Sequence, residues 1–284
     1  MASAGIISQH WEKQTNVFFK NLNELRLNLK SKGIHDLRVA VKKLSAYLIL
    51  YNLLTGPDEE GLKLADTEVL FNVTGKYRDI EISLTLLKSF LKNSSKYSSL
   101  VSFLKNTQQI SLEKTAASLR KFKSGELQMI GELIKSRFPA NTDTETRNKI
   151  KKLIEEKTES ILLLVNKSGK QPHELRKELK TLYYWLILFP EKTILPVSQI
   201  KKIDGILDQL GLWQDHQVLL TRTKHFRKDF VAKKTAEFTH YKKLEESLNK
   251  KSERLFAAAN KKFKIFSELV VKKSQEKTAE KENQ

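Results

Sequence analysis

Apolar residues recur at three- and four-residue spacing along almost the whole chain, and only 10 Gly and 5 Pro interrupt them. So few turn formers in 284 residues leave little room for many short strands, whereas that spacing suits helices that bury one face. The chain is therefore expected to be all-α. Trp11, Val17, Phe18, Leu22, Leu25 and Leu29 give a first helix over about 8–31 its apolar face. A second helix follows over 35–50. Gly33 ends whatever precedes it, and Asp36 sits near the positive N-terminal end. Further helical stretches are expected from near residue 59, and over 82–91, 97–107, 108–122, 143–166, 216–229, 234–252 and 253–273. Residues 123–138 show no clear pattern, and 55–58, 93–98 and 138–143 read as a turn, a polar break and a loop. From residue 274 a single Ala is the one apolar residue, so 273–284 is expected to be a disordered tail.

The second helix has an unusual cross-section. At 100° per residue Leu37, Val41, Leu44 and Leu48 fall within about 60° of one another, and His35, Arg38 and Lys42 form a stripe beside them. Cations along the edge of a buried face, rather than opposite it, point into a groove. The same pattern returns from His173: laid under residues 35–51, residues 173–189 match at eight of seventeen ungapped positions, including His, Leu, Arg and Lys. Asp36 is matched by the acid Glu174. Downstream, Gly75, Arg78 and Asp79 are echoed by Gly211, Gln214 and Asp215, and both Gly-x-x-x-Asp segments are expected to be turns. The histidine-to-aspartate spacing is 44 residues in one copy and 42 in the other, which points to internal duplication.

A duplicated His-acid-Leu-Arg helix, each followed by Gly-x-x-(Arg/Gln)-Asp in a basic helical chain, resembles the CHAD family, the conserved histidine α-helical domain. The resemblance covers about residues 8–272 as one domain, with repeat one at about 8–138 and repeat two at about 139–272. It implies two helical bundles related by a pseudo-twofold axis, with a basic cleft or pore between them. It also implies non-enzymatic binding of inorganic polyphosphate, which in some members takes place on polyphosphate granules, with polyphosphate-metabolising proteins as associates. Carried over by position, the implied binding residues are His35, Arg38, Lys42, Lys43 and Arg78 in the first copy. In the second they are His173, Arg176, Lys177 and Lys180, with Asp79 and Asp215 as supporting residues. Ser45, Thr181 and Tyr183 stand where the family often continues with basic residues, which implies a less positive second half.

The residues themselves suit that ligand. Polyphosphate carries close to one charge per phosphate, and cations at i and i+4 on a helix advance by about 6 Å. Arginine grips phosphate oxygens in pairs, while lysine acts as a mobile point charge. The bland alternative is that these cations pair with acids across a bundle. Each histidine lies in a first helical turn, where it can donate to phosphate, pack the helix start, or bond the Asp of the following motif. Arg78 is a candidate ligand, whereas Gln214 carries no charge.

With 52 Lys and Arg against 33 Asp and Glu, the chain carries a net charge of +19, which favours any polyanion. A basic nucleic-acid-binding helical protein is therefore the alternative, although helix-turn-helix, RNA-binding-strand and zinc signatures are absent. Zero cysteines exclude disulfides and thiolate metal sites. No phosphate-binding Gly-rich loop, Gly-x-Ser-x-Gly or Glu-x-Glu-x-Lys motif is present, so neither catalysis nor a cofactor is expected. The N-terminal residues do not read as a signal peptide, and no apolar run reaches the ~18 residues of a membrane span. The expected location is the cytoplasm, with polyphosphate granules as the place the resemblance adds.

Overall fold

The computed structural model describes residues 5–56, 61–90, 94–139, 141, 143–167, 172–189 and 195–282, and within them all side chains except those of 94–95, 165–167 and 271–282. Every long element among the described residues is an α-helix, and no β-strand is present. The helices are α1 (Ile6–Leu27), α2 (Ser31–Thr55), α3 (Ala65–Phe90), α4 (Ser98–Lys121), α5 (Gly125–Arg137), α6 (Asp143–Lys167), α7 (Pro172–Leu188), α8 (Val197–Phe230) and α9 (Ala236–Glu282). The chain divides into two compact units, residues 1–154 and 155–284. That boundary falls inside α6, sixteen residues beyond the repeat boundary expected at 138/139.

Several boundaries differ from the sequence reading. Gly33 does not end a helix: α2 already starts at Ser31, and Gly33 is where α2 presses on α1. A Cβ there would lie 2.8 Å from Leu25 Cδ2. The expected breaks within 97–122 and 234–273 are single helices, α4 and α9, which contain neither Gly nor Pro. Helix α9 also continues to Glu282, through the segment expected to be disordered, where Ala, Glu, Lys and Gln are good helix formers. Residues 125–137, patternless in sequence, form α5 on three buried residues, Leu127, Ile130 and Ile134. Both Gly-x-x-x-Asp segments lie inside helices, α3 and α8, rather than in turns. Of the expected turn and loops, Pro57, Asp58, Asn93, Ala140 and Thr142 lie outside the described residues.

In the first unit α1 and α2 form an antiparallel hairpin, fastened far from its turn by the Tyr47 hydroxyl, which donates to the Ile7 carbonyl. Leu37, Val41, Leu44 and Leu48 are buried as the stripe requires. Val17, expected on the buried face of α1, is 42% exposed. Helix ends are held by side chains from other helices, which satisfies backbone groups that a helix leaves open at its termini. Glu126 of α5 accepts from Asp66 N (2.9 Å), Thr67 N (3.1 Å) and Thr67 Oγ1 (2.8 Å), capping the start of α3. Arg26 of α1 donates to the Leu119 and Phe122 carbonyls (2.9 and 2.8 Å) at the end of α4.

In the second unit α8 and α9 run antiparallel. Arg227 grips Glu245 with two nitrogens (2.6 and 3.2 Å), Gln217 Nε2 donates to Ser252 Oγ at 2.6 Å, and Lys262 donates to the Gly205 carbonyl at 3.2 Å. Helix α7 packs on α8 and buries Leu175, Leu179, Leu182 and Trp185.

Candidate functional site

Arg38 is the centre of the arrangement in the first unit. Its Nη1 donates to the Phe71 carbonyl of α3 and lies 3.5 Å from Thr74 Oγ1, while its guanidinium carbon sits 4.0 Å from the centroid of the Phe71 ring. Lys42, one turn along α2, has its Nζ 5.7 Å from the same centroid. One aromatic ring thus serves two cations at i and i+4. Gly75 makes the approach feasible, since a Cβ on it would stand 2.7 Å from Arg38 Nη1 and 3.2 Å from its Cζ. The carbonyl of a helical residue normally receives the amide four residues on, so the arginine here shares an acceptor on the flank of α3. Burial lowers the Arg38 pKa, Asp79 pushes it back up, and Arg78 adds to the lowering. Guanidinium remains charged near neutral pH under any of these influences. Among the described residues the Nε and Nη2 donors of Arg38 take no hydrogen-bond partner, while the charge of Asp79 acts on the same guanidinium.

The other sequence candidates of this unit are distributed around that centre. Arg78 forms an ion pair with Glu81 on its own helix and lies 3.4 Å from Ser31 Oγ at the start of α2. His35 is exposed in the first turns of α2. Lys43 stands apart: five residues from Arg38, it is turned by about 140° and lines the groove between α1 and α2 instead. Phe71 has no signal in the duplicated motif, because the second copy carries Leu207 at the corresponding place. It becomes legible only once α2 and α3 are in contact.

In the second unit His173 and Gln214 join α7 to α8, with Nδ1 3.2 Å from Oε1. An amide oxygen can only accept, so Nδ1 is the donor in this contact. The residue opposite the histidine is thus Gln214, one position before the Asp215 considered from sequence. Arg176, Lys180 and Tyr184 follow at i, i+4 and i+8 on α7. Lys180 Nζ lies 5.9 Å from the Tyr184 ring centroid. The Tyr184 hydroxyl is pushed up to about 12, mainly by burial and then by Tyr183, with Arg176 acting in the opposite direction and Asp204 reinforcing the rise. Arg176 Nε is buried without a hydrogen-bond partner. Lys177 is exposed, and Gly211 has open space where Gly75 has an arginine. Lys157 pairs with Glu178 of α7 and lies 5.9 Å from the Trp185 ring centroid, an acid–base contact outside the motif.

Among the described residues no three His, Cys, Asp or Glu side chains come together as a metal set. No helix among them is long and apolar enough to cross a membrane.

Comparison with known proteins agrees with this helical architecture. The family model for the CHAD domain matches residues 9–224. The chain belongs to the CHAD domain family. The crystal structure of the CHAD domain from the plant Ricinus communis is similar with a TM-score of 0.68, over 92% of this chain and 93% of that one. At 14% sequence identity that likeness is one of fold. No curated protein matches the chain.

Proposed function

We propose that this protein binds inorganic polyphosphate without transforming it, through the basic rows of α2 and α7. The observation that carries the reading is the pairing of cations with an aromatic ring in each unit: Arg38 and Lys42 at Phe71, and Lys180, one turn from Arg176, at Tyr184. Cations held in this way lose less side-chain freedom when an anion arrives than freely rotating ones do. Spaced by about 6 Å along a helix, they match a flexible chain that presents a charge at every phosphate. The arginine fork of Arg38 supplies geometric recognition, and Lys42 and Lys180 supply charge.

Internal duplication and a basic cleft shared by the two copies belong to this proposal and rest on the repeated motif and the family resemblance. A long chain that engages both rows gains from the raised effective concentration of the second contact. Location at polyphosphate granules follows from the same reading.

The test is a competition at about 150 mM salt, near physiological ionic strength. Long-chain polyphosphate is expected to displace labelled DNA from the protein and to bind more tightly per phosphate. Equal affinity per phosphate, or failure to displace DNA, contradicts the proposal and favours a nucleic-acid-binding surface driven by the net charge of +19.

A further inference from the structure

The groove between α1 and α2 has a volume of about 750 Å³ and lies on a different flank of α2 from Arg38 and Lys42. Its floor is low because two small residues of α2 form it: Gly33, pressed on Leu25, and the buried Ala40. Two apolar side chains stand at either end of the α1 wall, Val17 at 42% exposure and Leu27 at 90%. They are ten residues apart, about 15 Å along the helix at 1.5 Å per residue. Val39 faces them from α2. Four lysines line the groove, Lys20, Lys30, Lys32 and Lys43, against two acids, Glu24 and Asp36.

We propose that this groove docks an acidic amphipathic helix, about three turns long, from a partner protein. A trough between two antiparallel helices takes a third helix at ordinary interaxial distances of about 8–10 Å. Recognition of an amphipathic helix in a groove rests on apolar anchors repeated at i, i+3, i+4 and i+7, a run of about 10.5 Å that fits within the distance between Val17 and Leu27. The excess of lysine at the walls selects glutamate and aspartate on the partner's flanks. A thin polyanion gains nothing from the apolar floor or from Leu27. Lys43, which the family motif groups with the phosphate-binding cations, serves the partner helix in this reading. The proposal goes beyond polyphosphate binding and does not depend on it.

The probe is a hydrocarbon-stapled 15-residue helix with leucines in one stripe and glutamates on both flanks. It is titrated as a fluorescein conjugate into the full chain and read by anisotropy. Saturable binding is expected, at least tenfold tighter than that of an isomer with the same leucines scattered around the helix. Leu27→Asp and the pair Lys20→Glu and Lys43→Glu are each expected to weaken binding about tenfold or more. Ile110→Asp, on the exposed surface of α4, is expected to leave it unchanged. Leu27, Lys20 and Ile110 are exposed and Lys43 is half-buried, and a native circular dichroism spectrum is required of each variant before its affinity is compared. Equal binding of the scattered isomer, or unchanged affinity in Leu27→Asp, overturns the proposal. Displacement of the probe by stoichiometric polyphosphate also overturns it, making the groove a general anion surface. So does a wild-type dimer that Leu27→Asp converts to monomer in sedimentation, since a second copy is then the occupant.

Discussion

Gly75 of α3 lies directly under the guanidinium of Arg38, with 2.7 Å between the place of a Cβ and Arg38 Nη1. Gly211, its counterpart by sequence, has nothing within 4 Å of that place. One glycine is therefore a seat for an arginine, and the other is an ordinary helical residue with a replaceable hydrogen. Alanine is better than glycine inside a helix by about 0.5–1 kcal/mol. Gly211→Ala is expected to raise stability by about that amount and to leave polyphosphate affinity unchanged. Gly75→Ala is expected to displace Arg38, cancel the gain in helix propensity and weaken polyphosphate binding severalfold. Thermal melts and polyphosphate titrations of the two variants side by side check both halves.

The Phe71 ring lies against both Arg38 and Lys42. Phe71→Leu, the residue that Leu207 supplies in the second copy, removes the ring but retains most of the apolar volume. Cation–π contacts of partly exposed groups contribute about 0.5–2 kcal/mol. The expected outcome is a loss of polyphosphate affinity of about 2- to 30-fold, with recovery in Phe71→Tyr. Recovery by tyrosine separates the role of the ring face from that of simple filling.

Glu126 caps α3 through two backbone amides and the Thr67 hydroxyl. Glu126→Ala leaves these donors to water and is expected to cost about 1–2 kcal/mol, in the range of lost helix caps. A lower urea midpoint with an unchanged m-value is the measurement. The cap lies one turn before Phe71 on α3, so Glu126→Ala is expected to lower polyphosphate affinity as well, by less than Phe71→Leu does.

Tyrosines give the fold an alkaline limit. Burial raises Tyr47 well above its usual range, and Tyr184 is pushed up to about 12. In the unfolded chain both ionise near pH ~10. The folded state therefore binds more protons between those values. Stability is fully present below about pH 10 and falls as pH rises through 12, by roughly 1.4 kcal/mol per pH unit for each group. Denaturation midpoints at pH 8, 10 and 11 are expected to decline in that order, and Tyr184→Phe is expected to make the decline shallower.

Much of this is legible in the sequence. The stripe of Leu37, Val41, Leu44 and Leu48 is buried as its period demands. The CHAD motif drawn from His35, Arg38, His173 and Arg176 lies in a chain whose family match spans residues 9–224. Local pattern failed where tertiary contact decides. Gly33 and Gly75 read as punctuation, yet both sit inside helices because another side chain, Leu25 or Arg38, needs their space. Helices α4 and α9 run unbroken through the polar residues at 107–108 and 252–253, and Ser252 is buried there, accepting from the Gln217 amide. Phe71 and the face occupied by Lys43 depend on which helices meet, and a one-dimensional period does not carry that.

The central claim is that specific cations, not the overall charge, bind polyphosphate. Two variants of equal net charge isolate it: Arg38, Lys42, Arg176 and Lys180 all changed to Gln, and the exposed Lys243, Lys250, Lys251 and Lys264 of α9 all changed to Gln. Calorimetric titration with long-chain polyphosphate at fixed salt, on samples with matching helicity, compares them with the unmodified protein. The account predicts a loss of at least a hundredfold in affinity for the first and less than threefold for the second. Equal losses in the two variants would contradict it.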